Sequence, residues 1–172
     1  MPDNRSQSNH SSKIDERLVD AAAQILSLGN CLVSKSTRSG FTTSFTIAAK
    51  RAGKKLLVIT PTIRIIDETL KKATDGEAVS VPANAFCPDY AEMIKEDRFL
   101  AQLPLPLADC EKCRDYGRCD VTRILTTDDP SVVALTYAKL YALMLSDSNT
   151  AEQIRQKISD VDVVLFDEVH TI

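Results

Sequence analysis

The apolar positions of the chain alternate between helical spacing and short continuous runs. Recurrence at intervals of three and four predicts helices over residues 13–28, 42–52, 63–73, 137–145 and 151–158. Short, mainly apolar runs predict strands at residues 31–33, 56–59, 79–81, 132–135 and 161–166, and the strands at 56–59 and 161–166 are expected to be buried. Repeated alternation of strands and helices predicts an α/β fold with a parallel sheet in three layers.

Two segments depart from this alternation of strands and helices, and they define the expected domain organisation. Residues 1–12 are polar and predict a disordered arm, because they offer too little apolar surface to offset the entropy of ordering. Residues 84–125 hold four cysteines, Pro104, Pro106 and scattered charges, and they indicate a mainly helical insertion. The α/β domain is therefore expected to consist of residues 13–83 and 126–172.

The composition restricts the classes of function. The chain has 172 residues and a net charge of −3, with a pI near 5.4. It therefore has no overall positive electrostatic potential that would attract nucleic acid. Contacts with nucleic acid would need local patches such as Lys50-Arg51 and Lys54-Lys55. No apolar run is long enough for a membrane helix or a signal peptide, so a cytoplasmic protein is expected.

A polar turn between the strand at 31–33 and the helix from Thr42 has the setting of a phosphate-binding loop. Backbone N–H groups of such a turn cradle phosphate, a lysine neutralises it, and a Ser or Thr hydroxyl holds magnesium. The candidate nucleotide-binding residues are Thr37, Arg38, Ser39, Gly40, Thr42 and Thr43.

The expected lysine of this loop is missing. A helicase-type Thr-Gly-x-Gly-Lys-Thr pattern would place glycine at Arg38 and lysine at Phe41. Arg38 or Lys35 could supply the missing positive charge, although an arginine at a glycine position adds a Cβ where the backbone must approach the ligand. The alternative is a polar strand-to-helix turn capped by Ser39 or Thr42.

Two carboxylates, Asp167 and Glu168, follow the apolar strand at 161–166. Open parallel sheets bind ligands at the edge formed by the carboxyl ends of their strands. Asp167 could hold magnesium and Glu168 could polarise an attacking water. The alternative is an acidic pair that only ends a strand at a solvated loop.

The four clustered cysteines are Cys87, Cys110, Cys113 and Cys119. Four thiolates are sufficient for a 4Fe-4S cluster or for tetrahedral zinc. Only one short pair is present, and this asymmetry favours iron-sulfur, with zinc as the alternative. The surrounding polar residues argue against cysteines that merely fill a core.

The order of these motifs resembles the first motor lobe of iron-sulfur superfamily 2 DNA helicases, the XPD-like and DinG-like group. The resemblance covers residues 13–172. It rests on the loop at 37–43, the segment Val58-Ile59-Thr60-Pro61-Thr62, the cysteine insertion, Val133-Ala134-Leu135-Thr136-Tyr137, and Asp167-Glu168-Val169-His170.

The resemblance implies a RecA-like, P-loop NTPase fold, here an incomplete first lobe, that binds ATP and magnesium. It implies magnesium ligands at Thr42 and Asp167, a water-activating acid at Glu168, and DNA-backbone contacts at Thr60, Pro61 and Thr62. Single-stranded or forked DNA and a second RecA-like lobe or partner chain are the implied partners. The chain departs from the family pattern at Arg38 and Phe41, at Val169, where alanine is usual, and in lacking a clear adenine-recognition motif.

Three functional interpretations follow. The first is the ATP-binding and iron-sulfur portion of a helicase-like protein, either a fragment or a truncated relative. The second is a non-catalytic module that uses a metal cluster and basic loops to bind nucleic acid or protein, and the absence of the loop lysine favours it. The third is a zinc-stabilised structural domain.

Overall fold

In the part of the chain that the structure describes, four parallel strands form a single sheet with helices on both faces. The structure is a computed structural model that describes residues 14–35, 39–70, 73–81 and 123–168. Several predicted features lie outside these residues: the arm, Thr37 and Arg38, the four clustered cysteines with nearly all of the insertion, and Val169 and His170. The α/β class and the parallel sheet are confirmed.

The described helices and strands largely follow the predicted order, except that no strand forms at residues 31–33. Helix α1 (Glu16–Leu26) and helix α2 (Phe41–Arg51) precede strand β1 (Leu56–Thr60). A helical turn α3 (Ile63–Ile65) continues into a π-helical stretch (Ile66–Leu70), and strand β2 (Val79–Val81) follows. After the undescribed segment come α4 (Arg123–Thr126), β3 (Val132–Thr136), α5 (Tyr137–Leu145), α6 (Asn149–Ser159) and β4 (Val163–Phe166).

The strands lie in the order β2-β3-β1-β4, and all of the pairs are parallel. In register, Leu56 of β1 is opposite Val132 of β3 and Val163 of β4. The carboxyl ends of β1, β3 and β4 therefore meet at one edge of the sheet.

Strand β1 is buried on both faces because helices cover each side of the sheet. Leu56 and Val58 belong to a core with residues of α1, α2 and the π-helical stretch. Leu57 and Ile59 belong to a second core with residues of α4, α5 and α6. The predicted three-layer arrangement is confirmed, and the continuous apolar run of β1 has its explanation in this double burial.

Two sequence expectations about strands were wrong. Residues 31–33 form no strand, and Leu32 is 93% exposed; three apolar residues without a neighbouring strand lack both ladder hydrogen bonds and burial. Strand β4 is not fully buried, since Val164 is 45% and Phe166 51% exposed. Among the described residues β4 pairs only with β1, so it is an edge strand.

Candidate functional site

Three chain segments converge at the carboxyl edge of the sheet. Asp167 directly follows β4 and extends its pairing, because its backbone N–H donates to the carbonyl of Ile59 at 2.8 Å. The amino end of α2 brings Thr42 to the same edge, and the irregular segment at residues 31–35 brings Lys35. This is the edge at which open α/β sheets bind ligands.

The side chains of Thr42, Asp167 and Lys35 contact one another. The Thr42 hydroxyl donates to Oδ2 of Asp167 at 2.9 Å. The Lys35 ammonium donates to the Thr42 Oγ1 at 3.0 Å and to Oδ1 of Asp167 at 2.5 Å. Asp167 is only 4% exposed, so its charge is compensated by direct contacts rather than by water, as buried charges require.

The oxygen atoms of Thr42 and Asp167 fit a magnesium ion. Mg²⁺ prefers oxygen ligands in an octahedron of radius 2.0–2.1 Å, in which adjacent ligands lie roughly 2.9 Å apart. In the structure, Thr42 Oγ1 and Asp167 Oδ2 form a hydrogen bond at 2.9 Å, a separation that two adjacent magnesium ligands could also adopt. The sequence predicted both residues as magnesium ligands, and the structure brings them together.

The described part of the loop enters α2 through a left-handed glycine. Gly40 is the residue before the helix and has φ 76°, a conformation that glycine adopts without penalty. No side chain caps the helix, and the contact from Phe41 N–H to Ser39 Oγ is long at 3.4 Å. The alternative of a turn capped by Ser39 or Thr42 is therefore poorly supported, because the Thr42 hydroxyl is directed to Asp167.

Phe41, at the position of the missing lysine, is a core residue. It is 8% exposed and its ring lies 5.8 Å from that of Phe45, one helical turn away. The spacing of the two phenylalanines in the sequence is the signal that could have revealed this role, because residues four apart share a helix face.

A tyrosine not assigned a role from the sequence supports the acidic strand end. The Tyr137 hydroxyl donates to the backbone carbonyl of Asp167 at 2.8 Å, and its ring stacks on Phe166. Burial raises the pKa of Tyr137, and the negative charges of Asp167 and Glu168 raise it further. Glu168 is half-buried and has φ 54°, an uncommon backbone conformation for a non-glycine residue.

The three candidate DNA contacts occupy the same edge with different accessibility. Thr60 is buried and its hydroxyl donates to the carbonyl of Thr62 at 3.0 Å. Thr62 is exposed and Pro61 is partly exposed. Only Pro61 and Thr62 are therefore open to a ligand in this conformation.

The local basic patch is ion-paired. Each of its cations contacts a carboxylate; the pairs are Lys50 with Glu77, Arg51 with Glu16, Lys54 with Asp162, and Lys55 with Asp129 and Asp160. These contacts raise the pKa of Lys55 and Arg51. A cleft of about 530 Å³ beside Lys55 lies at the amino ends of the strands, away from Asp167.

No group of three or more metal-binding side chains occurs within residues 14–35, 39–70, 73–81 and 123–168. Cys31, the cysteine outside the cluster, is exposed. None of the helices in the described part of the chain combines the length and apolar character of a membrane span. Comparison of the chain with protein-family models, curated proteins and solved structures finds no significant match.

Proposed function

We propose that this chain is the N-terminal ATP-binding and iron-sulfur portion of an ATP-dependent DNA helicase-like protein. The observation that carries the proposal is the contact between Thr42, at the amino end of α2, and Asp167, at the carboxyl end of β4. It joins the two halves of a phosphate site that the sequence predicts far apart in the chain.

The arrangement suits a nucleotide triphosphate with magnesium. The N–H groups at the start of α2 and the positive end of its dipole favour phosphate. Thr42 and Asp167 would hold magnesium, which when bound neutralises phosphate charge and orients the phosphate oxygens. Glu168 follows Asp167 at the same edge and would orient a water for hydrolysis.

The fold supports a RecA-like lobe as the finer description. The sheet is parallel, helices cover both faces, and the phosphate-loop helix and the acidic strand end meet at the carboxyl edge. The order of motifs along the chain adds support that does not depend on these contacts.

The iron-sulfur part of the proposal rests on the sequence alone, through Cys87, Cys110, Cys113 and Cys119. Anaerobically purified protein is expected to be brown and to contain about four iron and four sulfide ions per chain. Changing Cys113→Ser should abolish the cluster, whereas Cys31→Ser, at the exposed separate cysteine, should preserve it. One zinc per chain without iron would contradict this part.

Single-stranded or forked DNA is the proposed polymer partner, and a second RecA-like lobe or partner chain would complete the motor. Pro61 and Thr62 are the accessible candidates for DNA contact. The patch formed by Lys50, Arg51, Lys54 and Lys55 is a poorer candidate, because binding DNA there would first require the ion pairs to open.

Equilibrium titration with ATP and magnesium tests the nucleotide part. Saturable binding that needs magnesium is expected, and Asp167→Asn should weaken it at least ~10-fold, since charged hydrogen bonds are worth about 1.5–3 kcal/mol. The matched control is Asp160→Asn, which changes an exposed, ion-paired aspartate at the opposite edge. Absence of binding by the unmodified protein would refute the nucleotide part.

A second candidate is a non-catalytic metal-cluster module that binds nucleic acid or protein. The burial of Phe41 favours it, because the residue at the usual lysine position cannot reach phosphate from the core. ATP hydrolysis measured with and without single-stranded DNA separates the two. DNA-stimulated turnover supports the motor, whereas salt-sensitive DNA binding without turnover supports the module.

A further inference from the structure

Lys35 brings an ammonium group into the site from a position outside the expected motif. It lies in the segment at residues 31–35, which has no regular secondary structure, five residues before Gly40. Its Nζ donates to Thr42 Oγ1 at 3.0 Å and to Asp167 Oδ1 at 2.5 Å. The lysine therefore contacts both residues that fit magnesium.

The surroundings of Lys35 differ from those of a surface ion pair. Its side chain is 26% exposed, while the Asp167 carboxylate is nearly inaccessible. Such a pair is less screened than an exposed one. The ammonium retains access to solvent on one side, where an incoming anion could reach it.

The lysine at position 41 that would supply a positive charge in the expected loop pattern is absent. Position 41 holds a phenylalanine packed into the core against Phe45. A phosphate site without a cation would lack much of the electrostatic stabilisation that phosphoryl groups require.

We infer that Lys35 is the phosphate-binding cation of this site and takes the role that a lysine at position 41 would have. This inference rests on the proposed nucleotide function. The flexible four-carbon stem and three N–H donors of lysine allow it to exchange partners. Lys35 pairs with Asp167 in the present arrangement, and it would contact the terminal phosphates of a nucleotide if Thr42 and Asp167 held magnesium.

The test compares the affinities of ATP, ADP and AMP, each with magnesium, for the full chain and its Lys35 variants. Lys35→Gln removes the charge and keeps a polar side chain with two N–H donors. It should weaken ATP binding ~10- to 100-fold, which corresponds to the loss of a charged hydrogen bond. AMP binding should change less than threefold, and Lys35→Arg should retain most of the ATP affinity.

The control is Lys54→Gln, which removes an exposed, ion-paired lysine at the opposite edge and should leave all three affinities unchanged. Thermal melting without nucleotide reports separately on the structural role of the Lys35–Asp167 pair. Equal weakening of ATP, ADP and AMP would overturn the inference, because it would indicate a structural role alone.

The role of Lys35 and the nucleotide site can be refuted separately. If the unmodified chain binds ATP and Lys35→Gln binds it equally well, the role of Lys35 is refuted and the nucleotide site stands. If the unmodified chain binds no ATP, both are refuted.

Discussion

The Thr42 hydroxyl donates to the Asp167 carboxylate at 2.9 Å across 125 positions of sequence. Thr42 belongs to the first turn of α2 and Asp167 to the end of β4, and both side chains are buried. The contact ties a helix on one face of the sheet to the end of an edge strand.

Thr42→Val removes this hydroxyl while keeping the shape of the side chain. It should lower the free energy of unfolding by about 1–3 kcal/mol, because one oxygen of a buried carboxylate loses its donor, and it should also weaken magnesium-dependent ATP binding. The measurements are urea denaturation and ATP titration. Thr42→Ser should behave like the unmodified chain.

Thr46→Val is the control for that change. Thr46 is buried in the same helix, but its hydroxyl donates to the carbonyl of Thr42 at 2.8 Å rather than to the site. It should cost less stability and leave ATP binding unchanged. Equal effects of the two valine substitutions would show that Thr42 contributes only to helix packing.

Phe41→Lys restores the lysine of the usual motif, yet it should destabilise the protein. The substitution should cost about 3 kcal/mol or more, because an ammonium replaces an aromatic ring in the core. Phe41→Leu, which keeps the position apolar, should cost about 1 kcal/mol. Denaturation and ATP titration test this together, and a stable Phe41→Lys protein with higher ATP affinity would contradict the assignment of Phe41 to the core.

Gly40→Ala tests the backbone of the phosphate loop. A Cβ at Gly40 would meet no heavy atom within 4 Å, so the cost comes from the positive φ alone and should be about 1 kcal/mol. Gly53 has a similar conformation at the other end of α2, with φ 64° and open space around it. Both alanine variants should lose similar stability, but only Gly40→Ala should reduce ATP affinity.

The raised pKa of Tyr137 predicts a loss of stability at alkaline pH. The folded protein holds the phenolic proton more tightly than the unfolded chain, because burial and two nearby carboxylates raise its pKa. Its contribution is therefore fully present below about pH 10 and is lost as the pH rises through the raised pKa. Denaturation between about pH 9 and 11 should show a decline that is smaller in Tyr137→Phe. An unchanged decline in that variant would assign the effect to other groups.

Much of the fold follows from local pattern. The apolar run Leu56–Ile59 predicts β1, because burial on both faces favours apolar residues at consecutive positions, and the helical spacing of 137–145 matches α5. The short run at 31–33 resembles β1 in composition, but whether it pairs depends on neighbours far away in sequence. Its failure to form a strand could not be read from the residues themselves.

Residues of the site could be predicted from the sequence, but the contacts between them could not. Asp167 was recognisable from its position after a predicted strand and Thr42 from the loop pattern before its helix, although the strand predicted before that loop does not form; the structure places the two residues together. Lys35 was recognisable only as one possible source of charge. The contact of Lys35 with Thr42 and Asp167 depends on how close the segments lie at the sheet edge. No local pattern in a single sequence reveals that distance.

The separation of Thr42 from Asp167 also affects the order of events during synthesis. At about 5–20 residues per second, the ribosome would make Asp167 roughly 6–25 s after Thr42. During that interval the amino end of α2 and Lys35 have no carboxylate from β4 to contact. The cluster of Lys35, Thr42 and Asp167 is therefore completed late in synthesis, and a nucleotide bound at the proposed site would not meet all three residues while α1, α2 and β1 emerge.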